Sequence, residues 1–261
     1  MTQRRSNRIP RVLCDALPQE KAPVMVSSEE AAHLQQVLRL REGDGVIALN
    51  GRGSEVSARI RHRDKALWLE TDSTAPIQTR LFQAETTGLV LEMAILKGDA
   101  MSWVIEKAVE LGVNKIVPVE CDFGVVETSR KGSQHFVERW QRIADQALKQ
   151  CERLHRLQVD PPLPLSQVLQ QKVARRWVAV EPGAGFQEAQ PIEFEYQPES
   201  LTHVLIGPEG GWSPAECTIF AAEIRMGNLL AATFGPLILR AETAAVFTMS
   251  QAMSHALATR T

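Results

Sequence analysis

The spacing of hydrophobic and polar residues divides the chain into two regions. In residues 1–75, short apolar and β-branched runs predict a small β-rich domain. The predicted strands are Val24–Val26, Val46–Leu49, Glu55–Arg63 and Ala66–Asp72. The sequence Asn50-Gly51-Arg52-Gly53 predicts a hairpin turn between the second and third strands. One helix interrupts them, because Ser27 and Glu30 form a capping-box pair ahead of apolar residues at helical spacing. These apolar residues are Ala31, Leu34, Val37 and Leu38.

After a linker at residues 75–78, strand-like and helix-like segments alternate through residues 80–261. The predicted strands are Leu89–Leu96, Lys115–Val119, Trp177–Val180, Val204–Ile206 and Leu229–Phe234. The predicted helices begin at Asp99, Ser133, Ser213 and Ala241, and the third has an N-cap, an N1 proline and a capping glutamate. Alternation of this kind predicts an α/β domain with a mostly parallel sheet covered by helices.

Two segments rich in glycine and proline follow predicted strands near the end of the chain. The first glycine-proline segment is Thr202–Glu216, and the second is Phe234–Ala245. In an α/β fold, the carboxyl ends of strands are where the sheet builds its ligand sites. Gly207, Gly210 and Gly211 would let the backbone come close to a ligand without an intervening side chain. The alternative is that each segment is only a strand-to-helix turn.

The sequence lacks several motifs that are typical of nucleotide-binding and metal-binding proteins. The sequence contains no GxGxxG or GxxxxGK[ST] motif, so a dinucleotide or nucleoside-triphosphate site of the familiar kinds is not expected. It contains no HExxH motif, and its six histidines are dispersed, so no metal site is expected. The four cysteines are scattered, which indicates a reduced, cytoplasmic setting. The longest apolar stretch, Leu229–Leu239, is too short and too interrupted to span a bilayer, so no membrane association is expected.

The formal net charge of −2 conceals an asymmetry between the two regions. Residues 1–80 carry 13 Lys and Arg against 10 Asp and Glu, whereas the rest of the chain is acidic. One basic cluster, which contains Arg8 and Arg11, has no acidic residue within it. A second runs from Arg59 to Lys65. These clusters could contact a phosphate backbone, and the alternative is an ordinary solvated surface.

Together, the two glycine-proline segments resemble the cofactor loops of the SPOUT methyltransferases, in which a trefoil knot holds S-adenosylmethionine. LIGPEGGWSPAE followed by GPLILRAETAA is most similar to one branch, the ribosomal small-subunit RNA uridine-N3 methyltransferases. The similarity covers nearly the whole chain and includes Asn7–Val12, His33–Asp44 and Leu96–Val113. It implies a PUA-like β-barrel RNA-binding domain at residues 1–75 and a trefoil-knotted SPOUT methyltransferase domain at residues 80–261.

The resemblance also implies a cofactor, partners and site residues. The cofactor would be S-adenosylmethionine, the substrate a uridine N3 in ribosomal RNA or the small ribosomal subunit, and the protein a homodimer that builds each active site across its interface. The residues implied to bind the cofactor are Glu181, Pro182, Ile206, Gly207, Pro208, Glu209, Gly210, Gly211, Leu237, Ile238, Leu239 and Thr243. Arg240 and Glu242 would be catalytic, and Arg8 and Arg11 would contact RNA phosphate.

The role expected of Arg240 follows from the acidity of uracil. The N3 proton is only weakly acidic at neutral pH, so a methyltransferase acting there must help that proton leave. A cation beside the uracil oxygens favours the anion, and Glu242 would shape the pocket around it. The alternatives are a surface ion pair between Arg240 and Glu242 and a solvent-facing turn carboxylate at Glu209.

The chain departs from the pattern of this branch at Asp122-Phe123-Gly124, at Lys149–Glu152, at Leu237 and at Ala241. These departures lie on the side expected to face RNA, so they leave the methylated nucleotide open. Three other functions stay open on the sequence. They are the same chemistry at another RNA site, an RNA-binding protein that has lost catalysis, and an α/β enzyme that binds a different small ligand.

Overall fold

The computed structural model describes residues 9–64, 66–71, 75–124, 132–194 and 201–260. The chain forms two compact units. The first unit contains Met1–Glu85 together with Leu148–Arg156, and the second contains Thr86–Ala147 together with Leu157–Thr261. The N-terminal unit thus includes a short stretch from the middle of the chain, which the hydrophobic pattern did not predict.

The first unit is built on a six-stranded sheet. Its strands are β1 (Arg11–Leu13), β2 (Val24–Met25), β3 (Gly45–Leu49), β4 (Ser54–Arg63), β5 (Ala66–Glu70) and β6 (Gln78–Thr79). Two short helices accompany them, α1 (Ser28–Ala32) and α2 (Phe82–Glu85), and a π-helical turn spans His33–Val37. The sheet order is β1-β3-β4-β5-β2, with β6 paired to β4. All pairs are antiparallel except β1 with β3.

The hydrophobic pattern predicted most of this unit correctly. The four predicted strands are confirmed, and the predicted hairpin joins β3 to β4. Ser27 caps α1, since its side chain accepts a hydrogen bond from the backbone N–H of Glu30 at 3.3 Å. Of the apolar residues at helical spacing, Leu34 is buried, whereas Val37 and Leu38, at the end of the π-helical turn, are exposed.

The second unit is built on a seven-stranded sheet in which every pair is parallel. Its strands are β7 (Leu89–Ala94), β8 (Lys115–Glu120), β9 (Gln158–Val159), β10 (Leu163–Pro164), β11 (Arg175–Ala179), β12 (Thr202–Ile206) and β13 (Leu230–Ala232). Its helices are α3 (Ala100–Glu110), α4 (Ser133–Cys151), α5 (Leu165–Gln170), α6 (Pro214–Arg225) and α7 (Ala241–Thr259). The last four residues of α4 belong to the first unit. The strand order is β10-β8-β7-β12-β11-β13, with β9 paired to β8.

The parallel sheet confirms the α/β class, its five predicted strands and its four predicted helices. Every residue of β7 is buried, as expected for a central strand covered on both faces. One of them is charged: the carboxylate of Glu92 accepts hydrogen bonds from Arg176 at 2.9 Å and from the Nδ1 atom of His203 at 2.7 Å. A buried carboxylate needs such partners, because an isolated charge in a protein interior is strongly unfavourable.

The strand order decides where a ligand site forms. Strands β12, β11 and β13 are direct neighbours and parallel, so their carboxyl ends meet at the same edge of the sheet. The two glycine-proline segments include the residues that follow β12 and β13 at this edge. Among the described residues, we find no helix with the length and apolar character required to cross a membrane.

Candidate active site

A cavity of about 520 Å³ opens at the carboxyl edge of the parallel sheet in the second unit. Three stretches of chain form its walls: residues 179–182 at the end of β11, residues 206–212 at the end of β12, and residues 234–244, which run into the first turn of α7. Ala100, the first residue of α3, completes the lining. The volume lies within the range of small-molecule sites, so the cavity can hold a ligand of cofactor size.

The cavity collects most of the residues predicted from the sequence. Ten of the twelve residues expected to bind the cofactor line it. They are Glu181, Pro182, Ile206, Gly207, Pro208, Glu209, Gly211, Leu237, Ile238 and Leu239. Arg240 and Glu242, expected to be catalytic, line it as well, whereas Gly210 and Thr243 do not.

Trp212 fixes the shape of the first glycine-proline segment. Its indole Nε1 donates a hydrogen bond to the backbone oxygen of Ala179 at 2.9 Å, which ties this segment to the end of β11. Its ring packs edge-on against Phe220 of α6, with ring centroids 4.9 Å apart. A Cβ atom at position 207 would lie 2.9 Å from Cε2 of Trp212, so only glycine fits there.

Gly211 and Gly210 play different roles. Gly211 lines the cavity and has a φ of +71°, a conformation that L side chains rarely adopt. A Cβ atom there would lie 3.4 Å from a carboxylate oxygen of Glu181. Gly210 faces away from the cavity, since a Cβ atom there would lie 3.2 Å from Cβ of Phe123. A side chain at position 210 would therefore press on Phe123 and would not enter the cavity.

The end of the first glycine-proline segment is held by a polar cluster. Ser213 and Glu216 form a complete capping box at the start of α6, as predicted. The hydroxyl of Ser213 also donates to Asp122 at 2.5 Å, and Glu216 accepts from the backbone N–H of Asp122 at 2.9 Å. Burial, with the nearby carboxylate of Glu216, raises the pKa of the Cys121 thiol far above its usual range. This thiol is therefore not a nucleophile near neutral pH.

The second glycine-proline segment is the more exposed of the two. Gly235 has a φ of +101°, and Leu237 and Ile238 are 71% and 68% exposed although they line the cavity. Arg240 occupies the N-cap position of α7, but its side chain makes no capping hydrogen bond. It is exposed at the cavity and lies two residues before Glu242, in the first turn of α7.

The charged groups of the cavity favour an organic cation as ligand. The carboxylates of Glu181, Glu209 and Glu242 line it, and the leucine and isoleucine side chains of the second glycine-proline segment supply apolar walls. Arg240 is the one lysine or arginine among the described residues of the lining. Within the described part of the chain, no group of three or more His, Cys, Asp and Glu side chains could hold a metal ion.

The two basic N-terminal residues predicted to contact RNA differ in what the structure describes. Arg8 lies outside the described residues. The guanidinium of Arg11 forms an ion pair with Glu55, and its side chain is only 9% exposed. In the first unit this arginine joins β1 to β4, and its contact with RNA phosphate stays a prediction. In the second basic cluster, Arg61 and Arg63 both pair with Glu70.

Some residues of the cavity were not predicted from the sequence. They are Ala100, Ala179, Val180, Trp212, Phe234, Ala241 and Ala244. Trp212 is the most consequential, because it joins two of the three walls. The available signal was a large aromatic residue directly after two glycines and before a helix N-cap.

Comparison with known proteins confirms the family that the two glycine-proline segments indicated. A model of the RNA methyltransferase domain matches residues 83–253, and a model of the RNA methyltransferase PUA domain matches residues 26–70. The Bacillus subtilis protein named ribosomal RNA small subunit methyltransferase E is 27% identical over 246 residues, which cover 88% of this chain and 90% of that protein. A protein of the same name from Mesomycoplasma hyopneumoniae is 33% identical, over 62% of this chain and 68% of the relative.

A solved structure has the same architecture. It comes from Legionella pneumophila, is described as a methyltransferase in complex with the bound cofactor SAM, and is 26% identical in sequence. The alignment covers 95% of this chain and 98% of that one, with a TM-score of 0.80. Because the model of the RNA methyltransferase domain matches well over half of the chain, this protein belongs to the RNA methyltransferase family.

Proposed function

We propose that this protein transfers a methyl group from S-adenosylmethionine to N3 of a uridine in small-subunit ribosomal RNA. The observation that carries the proposal is the exposed Arg240 at a cavity whose other charged lining residues are carboxylates. A cation placed there can stabilise a uracil anion, while the carboxylates suit a positively charged methyl donor. The family, and relatives named as small-subunit ribosomal RNA methyltransferases across most of the chain, support the choice of RNA.

The cavity fits S-adenosylmethionine on the chemistry of its lining. This cofactor supplies an activated methyl group on a sulfonium centre and carries one aliphatic amino group, so two of its groups are cationic. Glu181, Glu209 and Glu242 would face those charges. Leu237 and Ile238, both exposed, would gain cover from an apolar part of the cofactor.

In this proposal the protein contributes charge stabilisation and positioning. Arg240 stabilises the negative charge that develops on the uracil oxygens as the N3 proton passes to solvent and the nitrogen becomes free to take the methyl group. The start of α7 adds to this effect, because the N-terminal end of a helix carries partial positive charge. Glu242, in the first turn of the same helix, forms the wall beside Arg240 and limits how the base can lie. The walls hold the reacting groups in line, which removes much of the entropic barrier.

We also propose the domain roles and the assembly. Residues 1–75 would bind RNA, and residues 80–261 would form the knotted methyltransferase domain. A homodimer would bury apolar side chains that one chain leaves exposed, among them Trp103, Phe247 and Leu257. We expect the enzyme to act in the cytoplasm, on ribosomal RNA that is free or assembled into the small subunit.

The test is methylation of defined RNA with radiolabelled cofactor. Small ribosomal subunits and naked small-subunit RNA are prepared from cells that lack the protein, and each is incubated with it. A methyl group on N3 blocks Watson–Crick pairing, so reverse transcription should stop beside one uridine only after incubation with the protein. Stops that identify another base, or no incorporation into either RNA, would contradict the proposal.

A further inference from the structure

Phe123 is an exposed aromatic residue that has no role in the proposed reaction. It follows β8, and 48% of its surface is exposed. It lies against Gly210 of the first glycine-proline segment. A Cβ atom added to Gly210 would be 3.2 Å from Cβ, 3.7 Å from Cγ and 3.8 Å from Cδ2 of Phe123. The residues on either side of Gly210, Glu209 and Gly211, both line the cavity. Phe123 therefore lies beside the cavity, and it does not form part of the lining.

The backbone around Phe123 is held by contacts that do not bury the ring. The backbone N–H of Asp122 donates to Glu216, and the carboxylate of Asp122 accepts from Ser213. A tight turn follows, in which the backbone N–H of Gly124 donates to the oxygen of Cys121 at 2.9 Å. These bonds fix the position of the main chain at Phe123 while leaving nearly half of the residue in solvent. An exposed aromatic ring on a fixed backbone is a ready-made stacking surface, because little conformational freedom is lost on binding.

We propose that Phe123 stacks against an unpaired base of the RNA substrate beside the cavity, an inference that rests on the proposed function. Proteins that recognise unpaired RNA bases commonly stack them on aromatic side chains. An enzyme that modifies N3 of a base must also take that base out of its pair, since N3 lies on the pairing edge. Phe123 lies outside the cavity lining assigned to the methyl donor, so its ring is left for the second substrate.

The inference predicts a direct contact that cross-linking can detect. Small-subunit RNA is transcribed with 5-iodouridine in place of uridine, bound to the protein and irradiated. A base stacked on an aromatic ring cross-links to it efficiently, so the modified peptide should contain Phe123. Cross-links confined to other peptides of the protein would overturn the inference. The experiment requires RNA binding but no methyl transfer, so its result does not depend on the proposed reaction.

Three variants separate stacking from a merely apolar contact. Phe123→Ala and Phe123→Leu should both raise the KM for RNA, by roughly 5-fold to 100-fold for alanine. Phe123→Trp should retain most of the wild-type value, because it keeps an aromatic face. The Kd for S-adenosylmethionine should stay unchanged in all three. Ile219→Ala, which removes another exposed apolar side chain of the second unit, serves as the matched control and should leave the KM for RNA unchanged.

Gly210→Ala provides a second test that leaves the Phe123 side chain intact. Its new methyl group would lie 3.2 Å from Cβ of Phe123 and would shift that side chain without entering the cavity. The KM for RNA should therefore rise, and the Kd for the cofactor should not. Weaker cofactor binding by Phe123→Ala would instead make the ring a cover for the cofactor. A change in oligomeric state would make it a protein contact, and either result would overturn the inference.

The inference and the proposed function fail in different ways. A wild-type protein that binds RNA through Phe123 but methylates no uridine N3 would contradict the proposed function alone. If the wild-type protein methylates uridine N3 and the Phe123→Ala variant has the same KM for RNA, the stacking inference alone is overturned. Thermal unfolding of each variant provides the check on folding, and little change is expected because Phe123 is half exposed.

Discussion

The two glycine-proline segments both lead from a strand into a helix, but they are held in different ways. The first is fixed from several sides, since Trp212 hydrogen-bonds to the end of β11 and Ser213 joins Asp122 and Glu216 in one cluster. The second has two large apolar side chains in solvent, Leu237 and Ile238, and an arginine at its helix N-cap without a capping bond. One wall of the cavity is therefore held by several contacts within the fold, whereas the other keeps Leu237 and Ile238 in solvent.

Because they are held differently, we expect the two walls to have different roles in ligand binding. A wall fixed before binding reduces the entropy lost when a ligand binds, which suits recognition of a cofactor. A wall that keeps exposed apolar and cationic groups can respond to a second substrate or to a partner subunit. We therefore expect substitutions in the first segment to affect folding, and substitutions in the second to affect chemistry and binding.

The largest effect should follow removal of the Arg240 guanidinium. Arg240→Ala should reduce single-turnover methyl transfer by about 10²–10³, or roughly 3–4 kcal/mol, as for loss of one pre-positioned donor at a developing anion. The Kd for S-adenosylmethionine should change much less. Raising the pH should partly restore the rate, because hydroxide then favours the uracil anion that Arg240 otherwise stabilises.

Arg225→Ala is the matched control for Arg240, since it removes an exposed arginine at the end of α6 that does not line the cavity. It should leave the single-turnover rate unchanged. Equal losses of rate and cofactor affinity in Arg240→Ala, without recovery at high pH, would show that Arg240 supports the loop. Both segments would then serve mainly to hold the cavity in shape, and Glu209 and Glu242 would be the next candidates for the catalytic group.

The next largest effect should be on stability, in the first segment. Trp212→Ala should lower the free energy of unfolding by about 3 kcal/mol, because it removes a large, well-packed side chain and leaves a cavity. It also removes the hydrogen bond to Ala179. Urea unfolding measures the loss. Ile219→Ala, which removes an exposed apolar side chain from α6, should cost much less, and equal costs would argue against Trp212 as the residue that holds this wall.

The comparison of the segments also shows what the sequence could predict. Local features could be predicted, because a capping box and an alternation of strands and helices depend on neighbouring residues. Ser213, for example, caps its helix as expected. Contacts between distant residues were not predicted. Trp212 binds Ala179 and Arg11 pairs with Glu55, and both contacts arise only when strands far apart in the chain come together. Strands β9 and β10 were missed because two-residue strands carry too little periodicity.

A smaller effect should follow truncation of Leu237 in the second segment. Leu237→Ala should change the free energy of unfolding by no more than about 0.5 kcal/mol, because the side chain is mostly in solvent. The cofactor should bind about tenfold more weakly, since it no longer covers a leucine side chain. Calorimetric titration measures this affinity. Met226→Ala, at another exposed residue, is the control, and a large loss of stability in Leu237→Ala would mean that this wall is formed before binding.

The smallest effect should come from the helix caps, where the two segments can be compared directly. Ser213→Ala removes the cap of α6 and should cost about 1 kcal/mol of unfolding free energy, or somewhat more because Asp122 also loses a hydrogen-bond donor. Ser213→Thr keeps the hydroxyl, so its free energy of unfolding should be close to that of the wild type. Arg240→Ala, at the equivalent position of α7, should cost almost nothing in the same urea titration, since its side chain makes no capping bond. Similar losses at both positions would show that the second segment is also fixed by folding. A loss at Ser213 alone would mean that folding fixes only the first wall of the cavity, and that Arg240 lies on the wall that folding fixes less.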